Sequence, residues 1–198
     1  MNIFVLDENP HVAASMMCNK HVVKMILESG QMLCTAHWLA WLSGKNGRPT
    51  LSDFKRVRDA QEWLRDFVPE ESQPPWKMSH VRHPCTAWTC ETMGNYIWLH
   101  HHMRGLLDEY TSRYGKIHKS ESVWKWLGDH DPVGWCSVEG KYRKTKHPLC
   151  VPDEIKACTD DPVHAYRVYY VTHKSKIAKW APRATPPSWW PNEEKTNA

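Results

Sequence analysis

The sequence predicts a mainly α protein. One domain over residues 1–182 forms an irregular bundle of about five to six helices, with room for one short N-terminal strand or a small hairpin, and a Pro/Trp-rich tail covers 183–198. Three observations carry this expectation. Apolar residues recur every three to four positions over long stretches, helix-starting residues precede those stretches, and Gly or Pro ends them.

A chain of 198 residues, 41% hydrophobic and 24% charged, is ordinary for one globular core. Its apolar runs are interrupted by His, Lys or Glu well short of the roughly 20 residues that span a membrane, so no membrane partner is expected. The opening MNIFVLDENP has acids directly after its apolar stretch and no basic segment, so it reads as structure and not as a signal peptide. Seven scattered cysteines lack the paired spacing of a disulfide framework, and reduced thiols in a cytoplasm are the expectation.

Ile3 to Leu6 could form a short strand, and Asn9-Pro10 reads as an N-cap with proline at the first helical position. From Lys20 to Leu42, Val22, Val23, Ile26, Leu33 and Cys34 recur at helical spacing until Ser43-Gly44. A second amphipathic helix is expected over Leu51 to Phe67, with Trp63, Leu64 and Phe67 inward, and Pro69 stops it. After His83-Pro84 a single long helix is expected from Thr86 to Tyr114, ended by Gly115. Ser120 caps a short helix through Leu127, and Gly128 to Pro152 reads as irregular or as a small hairpin. Asp161-Pro162 opens a last helix running to Trp180, which Pro182 stops.

Charge is unevenly placed. Lys141 to Arg183 holds ten Lys/Arg against four Asp/Glu, while the remainder holds 16 against 18, so the net charge of +4 belongs to this C-terminal portion. A basic face suits an anionic partner such as a nucleotide or nucleic acid, although simple solubility accounts for it equally well. Twelve Trp suit either a bulky core or stacking surfaces for rings.

His21, Lys24, Glu28, Gln31 and Thr35 follow a 3-4-3-4 spacing that puts them on one helical stripe. A solvated face with a Lys24–Glu28 pair explains this stripe. If it faces a cleft instead, Glu28 serves as a general base and His21 exchanges a proton near neutral pH. His37 lies on the apolar face, where a histidine is usually a core residue. Asn95, His102 and Glu109 recur every seven residues on the long helix, which suits either a buried structural network or a polar site that orients a substrate. Arg113, Lys116, His118 and Lys119 surround a glycine turn ahead of the next helix, a place for phosphate or for ordinary helix capping. On the last helix Arg167, Tyr170 and Lys174 share a face, with aromatic residues interleaved.

No Gly-rich phosphate loop, G-x-S-x-G, H-E-x-x-H or paired E-x-x-H is present, so no recognised motif requires a cofactor. The two C-x-x-H pairs, Cys18 to His21 and Cys34 to His37, would lie about 24 Å apart on one continuous helix, and no metal ligands are assigned.

Three stretches, Cys18 to Glu28, Arg113 to Ser120, and Ala165 to Tyr170 with Ala178 to Trp180, resemble a helical family encoded by tailed bacteriophages that has no assigned activity. The resemblance runs from Met1 to Trp180. It implies a viral protein acting in a bacterial cytoplasm on nucleic acid, nucleotides or host defence proteins. The leading expectation is an enzyme acting on a nucleotide or a nucleic-acid base, of glycosylase, hydrolase or transferase type. A non-catalytic nucleotide or host-protein binder and a metal-dependent hydrolase are the alternatives.

Overall fold

Asn9 and Pro10 start the first helix as their chemistry dictates. Asn9 Oδ1 accepts from the N–H groups of His11 and Val12, and Pro10 takes the first helical position, where no N–H is missed. In the computed structural model, which describes residues 2–42, 47–133 and 142–191, α1 (Pro10–Ser15) is followed by α2 (Asn19–Trp41), α3 (Val57–Phe67) and α4 (Pro84–Glu91). Then come α5 (Met93–Tyr114), α6 (Glu121–Asp129), α7 (Asp153–Cys158) and α8 (Pro162–His173). The protein is a single mainly helical domain, with no strand among the described residues.

α2 is the axle of the fold. Every residue from Glu28 to Trp38 except Gln31 is buried, because α4, α5 and α6 all pack against this helix. A helix enclosed on nearly all sides needs apolar residues all round, and α2 supplies Met25, Ile26, Met32, Leu33, Cys34 and Ala36. α5 packs against α2, with Met103 close to Gly30, and also against α1, where Gly105 lets Ala14 and His11 come near; Leu99, Leu106 and Leu107 are buried in the same core. The end of α2 forms a smaller cluster with α3, from Trp38, Leu42, Ala60 and Leu64. Tyr166 and Tyr170 anchor α8 in the main core, and Trp180, Trp189 and Trp190 pack there too, so the tail as far as Pro191 lies on the domain.

Several expectations are corrected. Ile3 to Leu6 is buried but makes no strand. Phe4 has φ +53°, and a residue in the left-handed region cannot continue a strand. The helix expected over Leu51 to Phe67 is a 3₁₀ turn, Leu51–Asp53, followed by α3. The long helix from Thr86 is two helices. Thr92 is extended (φ −144°, ψ 155°), and its hydroxyl accepts from the Asn95 N–H to start α5. Gly115 at φ +64° ends that helix as expected.

The last helix stops at His173 and not at Trp180. Asn19 donates its N–H to the Lys179 carbonyl and its Nδ2 to the Trp180 carbonyl, while the Trp180 indole donates to Met16 O. These tertiary bonds outcompete continued helix and fold Lys174 to Trp180 back against the start of α2. α7 was not expected, although Pro152 and the acids Asp153 and Glu154 in its first turn are ordinary helix-start signals. Residues 134–141 of the expected irregular region lie outside the described residues, as does Cys136, and Arg143 to Cys150 has neither helix nor strand. No helix among the described residues is long and apolar enough to cross a membrane.

Candidate functional site

The first two turns of α2 meet α8 and the N-terminal segment at a cleft of about 380 Å³. Residues spaced at 20, 24 and 28 lie on one helical face, so Lys20 and Lys24 stand above Glu28 in a column, and His21 lies beside them. Lys24 is 62% exposed and Glu28 only 10%, with Nζ 3.1 Å from Oε1. The other carboxylate oxygen, Oε2, accepts from the Asn2 main-chain N–H at 3.1 Å. Lys174, at the C-cap of α8, is the third ammonium on the cleft.

Aromatic rings form the remaining wall. Phe4 stacks on His21 with centroids 4.5 Å apart at 19°, and Tyr169 lies nearly parallel to Phe4 at 6.2 Å. Lys174 Nζ sits 4.6 Å from the Tyr169 ring centroid, a cation–π contact. The left-handed backbone of Phe4 costs about 1–2 kcal/mol and points its ring into this stack.

His21 is a neutral imidazole here. Burial is the largest cause, and the positive charges of Lys174, Lys24 and Lys20 add to it, drawing the pKa down to about 4. The expected proton exchange near neutral pH is therefore corrected: this ring titrates well below it. Its Nδ1 is hydrogen-bonded to the Tyr170 hydroxyl, which fixes the ring's orientation and leaves Nε2 as the nitrogen for a ligand. Tyr170 is fully buried, and burial raises its pKa well above the ordinary value, so it backs His21 and does not line the cleft.

The other expected site residues are not brought to this cleft. Asn95 is buried where α4 meets α5, donating to Trp88 O and accepting from the Thr145 N–H, both at 2.8 Å. His102 is fully buried, bonded through Nδ1 to Pro10 O and stacked on Trp98, and burial lowers its pKa to about 4. Arg113 has a side chain 1% exposed. It donates to the carbonyls of Ser15 and Met17 and pairs with Glu109 at 2.6 Å, so both residues tie α5 to the end of α1. Arg167 donates to Leu6 O and pairs with Asp7 at 3.3 Å. In each case a polar side chain on a helix-facing stripe found backbone partners across the core.

Lys116, His118 and Lys119 do share a second groove of about 640 Å³ at the α5–α6 turn, with Leu27, Trp76 and Ile117. It shares no lining residue with the first cleft, so Lys116, His118 and Lys119 lie apart from His21, Lys24 and Glu28. His118 accepts there from the Ser120 N–H, and burial lowers its pKa.

Sequence reasoning missed Asn2, Phe4, Lys20 and Tyr169. Lys20 continues the 24–28 column by one turn, and that signal was readable. It also missed His83, Cys85 and Cys150, whose donor atoms all lie within 4.8 Å of one another on the far side of Asn2. The C-x-x-H pairs are engaged otherwise, His21 with Tyr170 and His37 with Tyr96. No family model, no curated protein and no solved structure matches this chain.

Proposed function

We propose that the chain is an enzyme acting on a nucleotide or a nucleic-acid base, with the cleft between α2 and α8 as its site. The observation that carries this reading is the convergence of Lys20, Lys24 and Lys174 over the Glu28 carboxylate beside stacked aromatic rings. Lysines are point-charge partners for phosphate, and Tyr169 offers a face to a base. A volume near 380 Å³ suits one nucleotide, free or turned out of a strand, and not a duplex.

In this reading Lys20, Lys24 and Lys174 hold phosphate, and Glu28 takes the proton of an attacking water or hydroxyl. Neutral His21, aligned by Tyr170, gives the substrate an uncharged hydrogen bond. The reaction class is hydrolase, glycosylase or transferase, and in this reading the resemblance to a phage-encoded helical family implies action on nucleic acid or nucleotides in a bacterial cytoplasm.

One observation favours a second reading. Both Glu28 oxygens already hold partners, Lys24 and the Asn2 N–H, as expected of a carboxylate that shapes a binding site without reacting. That chain would be a non-catalytic nucleotide binder, such as an antagonist of host defence.

Calorimetry with nucleoside monophosphates and the matching nucleosides, followed by chromatography of the incubated mixtures, separates the readings. The enzyme reading expects binding that needs the phosphate, a loss of at least about tenfold in Lys174→Ala, and product that disappears in Glu28→Gln. Tight binding without product favours the binder. Equal affinity for nucleosides and nucleotides overturns both.

A further inference from the structure

We propose that His83, Cys85 and Cys150 form a zinc site, with three protein donors and a fourth position open to water. The donor atoms lie within 4.8 Å of one another, and the two sulfurs are 3.6 Å apart. With Zn–S bonds of about 2.3 Å, the sulfur–sulfur edge of a tetrahedron is about 3.7 Å. A disulfide would need about 2.05 Å. The separation is thus that of two thiolates sharing one ion. Two sulfurs and one imidazole are the donors that a borderline-soft cation such as Zn²⁺ selects over Mg²⁺ or Ca²⁺.

Two of the three donors are held in place by bonds that do not involve a metal, and His83 changes partner. His83 and Cys85 come from the start of α4, where His83 Nδ1 accepts from the Cys85 N–H at 3.1 Å; a neutral imidazole has one lone pair to give, so ligation by His83 exchanges this cap bond for the ion. Cys150 comes from the extended segment before α7. Its N–H donates to Tyr166 Oη at 3.1 Å, and its carbonyl accepts from Asn2 Nδ2 at 2.9 Å. Tyr166 in turn donates to Pro148 O at 2.9 Å, so a buried tyrosine fixes this segment from below. Such supporting bonds are what orient ligands in metal sites. Cys85 is buried, while His83 and Cys150 are half-buried, so an ion enters from one side and keeps a solvent position there. A divalent ion balances the two thiolates, which could not both be charged at this spacing without one. Bound there, it pins the 142–151 segment to α4, directly behind the Asn2 that also contacts Glu28.

Cobalt titration of the phosphine-reduced full chain tests the site without reference to any nucleotide. The expected result is one Co²⁺ per chain, with thiolate-to-cobalt charge transfer and tetrahedral visible bands, displaced by Zn²⁺. Cys150→Ser, at a half-buried position that tolerates a hydroxyl, abolishes the spectrum. His83→Asn keeps the helix cap, since Asn is a strong N-cap residue, and weakens cobalt binding at least about tenfold. Cys158→Ser, at an exposed thiol, leaves the spectrum unchanged. Zn²⁺ raises the melting temperature of the parent and of Cys158→Ser but not of Cys150→Ser. Absence of the tetrahedral spectrum in the parent, or its persistence in Cys150→Ser, overturns the proposal.

Discussion

The Asn2 N–H donates to Glu28 Oε2 at 3.1 Å, so the carboxylate at the base of the cleft is shared between the N-terminal segment and Lys24. Asn2 also donates its side-chain amide to Cys150 O, so one residue joins the lysine cleft to the His83, Cys85 and Cys150 cluster.

Glu28→Gln keeps an oxygen for the Asn2 N–H and removes the charge that faces Lys24. Lys24 is mostly exposed, so the lost ion pair changes stability by less than about 1 kcal/mol. Turnover falls by about 10²–10⁴ if Glu28 is the general base. Urea unfolding and product formation, measured on the same sample, separate the two effects.

Arg113→Met retains most of the volume and leaves the carbonyls of Ser15 and Met17, with Glu109, short of a donor. The expected loss of stability is about 3 kcal/mol, because these groups lose a nearly buried charged donor. Nucleotide affinity of the folded fraction stays unchanged, as Arg113 does not line the cleft. A loss of affinity at constant urea midpoint would contradict this assignment.

Acid destabilises the fold through its histidines. Burial, the largest cause in each, lowers the pKa of His21 to about 4, His37 to about 3, His102 to about 4 and His147 to about 2. The unfolded chain takes up these protons below about 6.5, while the folded chain resists until about 4 or lower. Stability is therefore full above about pH 6.5 and falls as the pH drops toward 4, by about 2 kcal/mol per histidine between pH 7 and pH 5. His147→Phe tests the attribution. Both ring nitrogens of His147 are buried without a hydrogen-bond partner among the described residues, between Trp88 and Trp98. The variant is expected to be more stable than the parent at pH 7 and to show a shallower decline of the urea midpoint toward pH 5.

Gly94→Ala places a methyl on the Tyr142 carbonyl oxygen and 2.7 Å from the Arg143 carbonyl carbon. Main chain cannot yield as a flexible side chain does, so the expected cost is about 1–3 kcal/mol. The displaced segment carries Thr145, bonded to Asn95, and leads on to Cys150. Cobalt affinity falls with stability in this variant, and unchanged affinity would show that the cluster does not depend on the register of this segment.

The chain's local pattern was enough for several helix ends and for one half of the cleft, but not for α7, the break at Thr92 or the end of α8. Asn9-Pro10, Gly115 and Asp161-Pro162 mark helix ends because caps act within a few residues. His21, Lys24 and Glu28 share a stripe because helix geometry alone puts residues three and four apart side by side. The same rule placed Asn95, His102 and Glu109 together but was silent on what would cover them. α1 and the 143–147 segment pack over that stripe: His102 bonds to Pro10 O and Asn95 to the Thr145 N–H, while Glu109 is taken by Arg113. Packing partners come from distant sequence, so periodicity cannot say whether a polar stripe ends in a cleft or in the core.

Tertiary structure alone decided the rest. Only the packing of α8 on the core brings Lys174, at the C-cap of that helix, to the cleft that Glu28 lines, and the bonds from Asn19 to Lys179 and Trp180 hold the chain beyond it against the start of α2. Only the docking of the 142–151 segment on α4 brings Cys150 to within 3.6 Å of Cys85. Spacing reports neighbours along one element, whereas a site built across elements exists only once the core has chosen which faces meet.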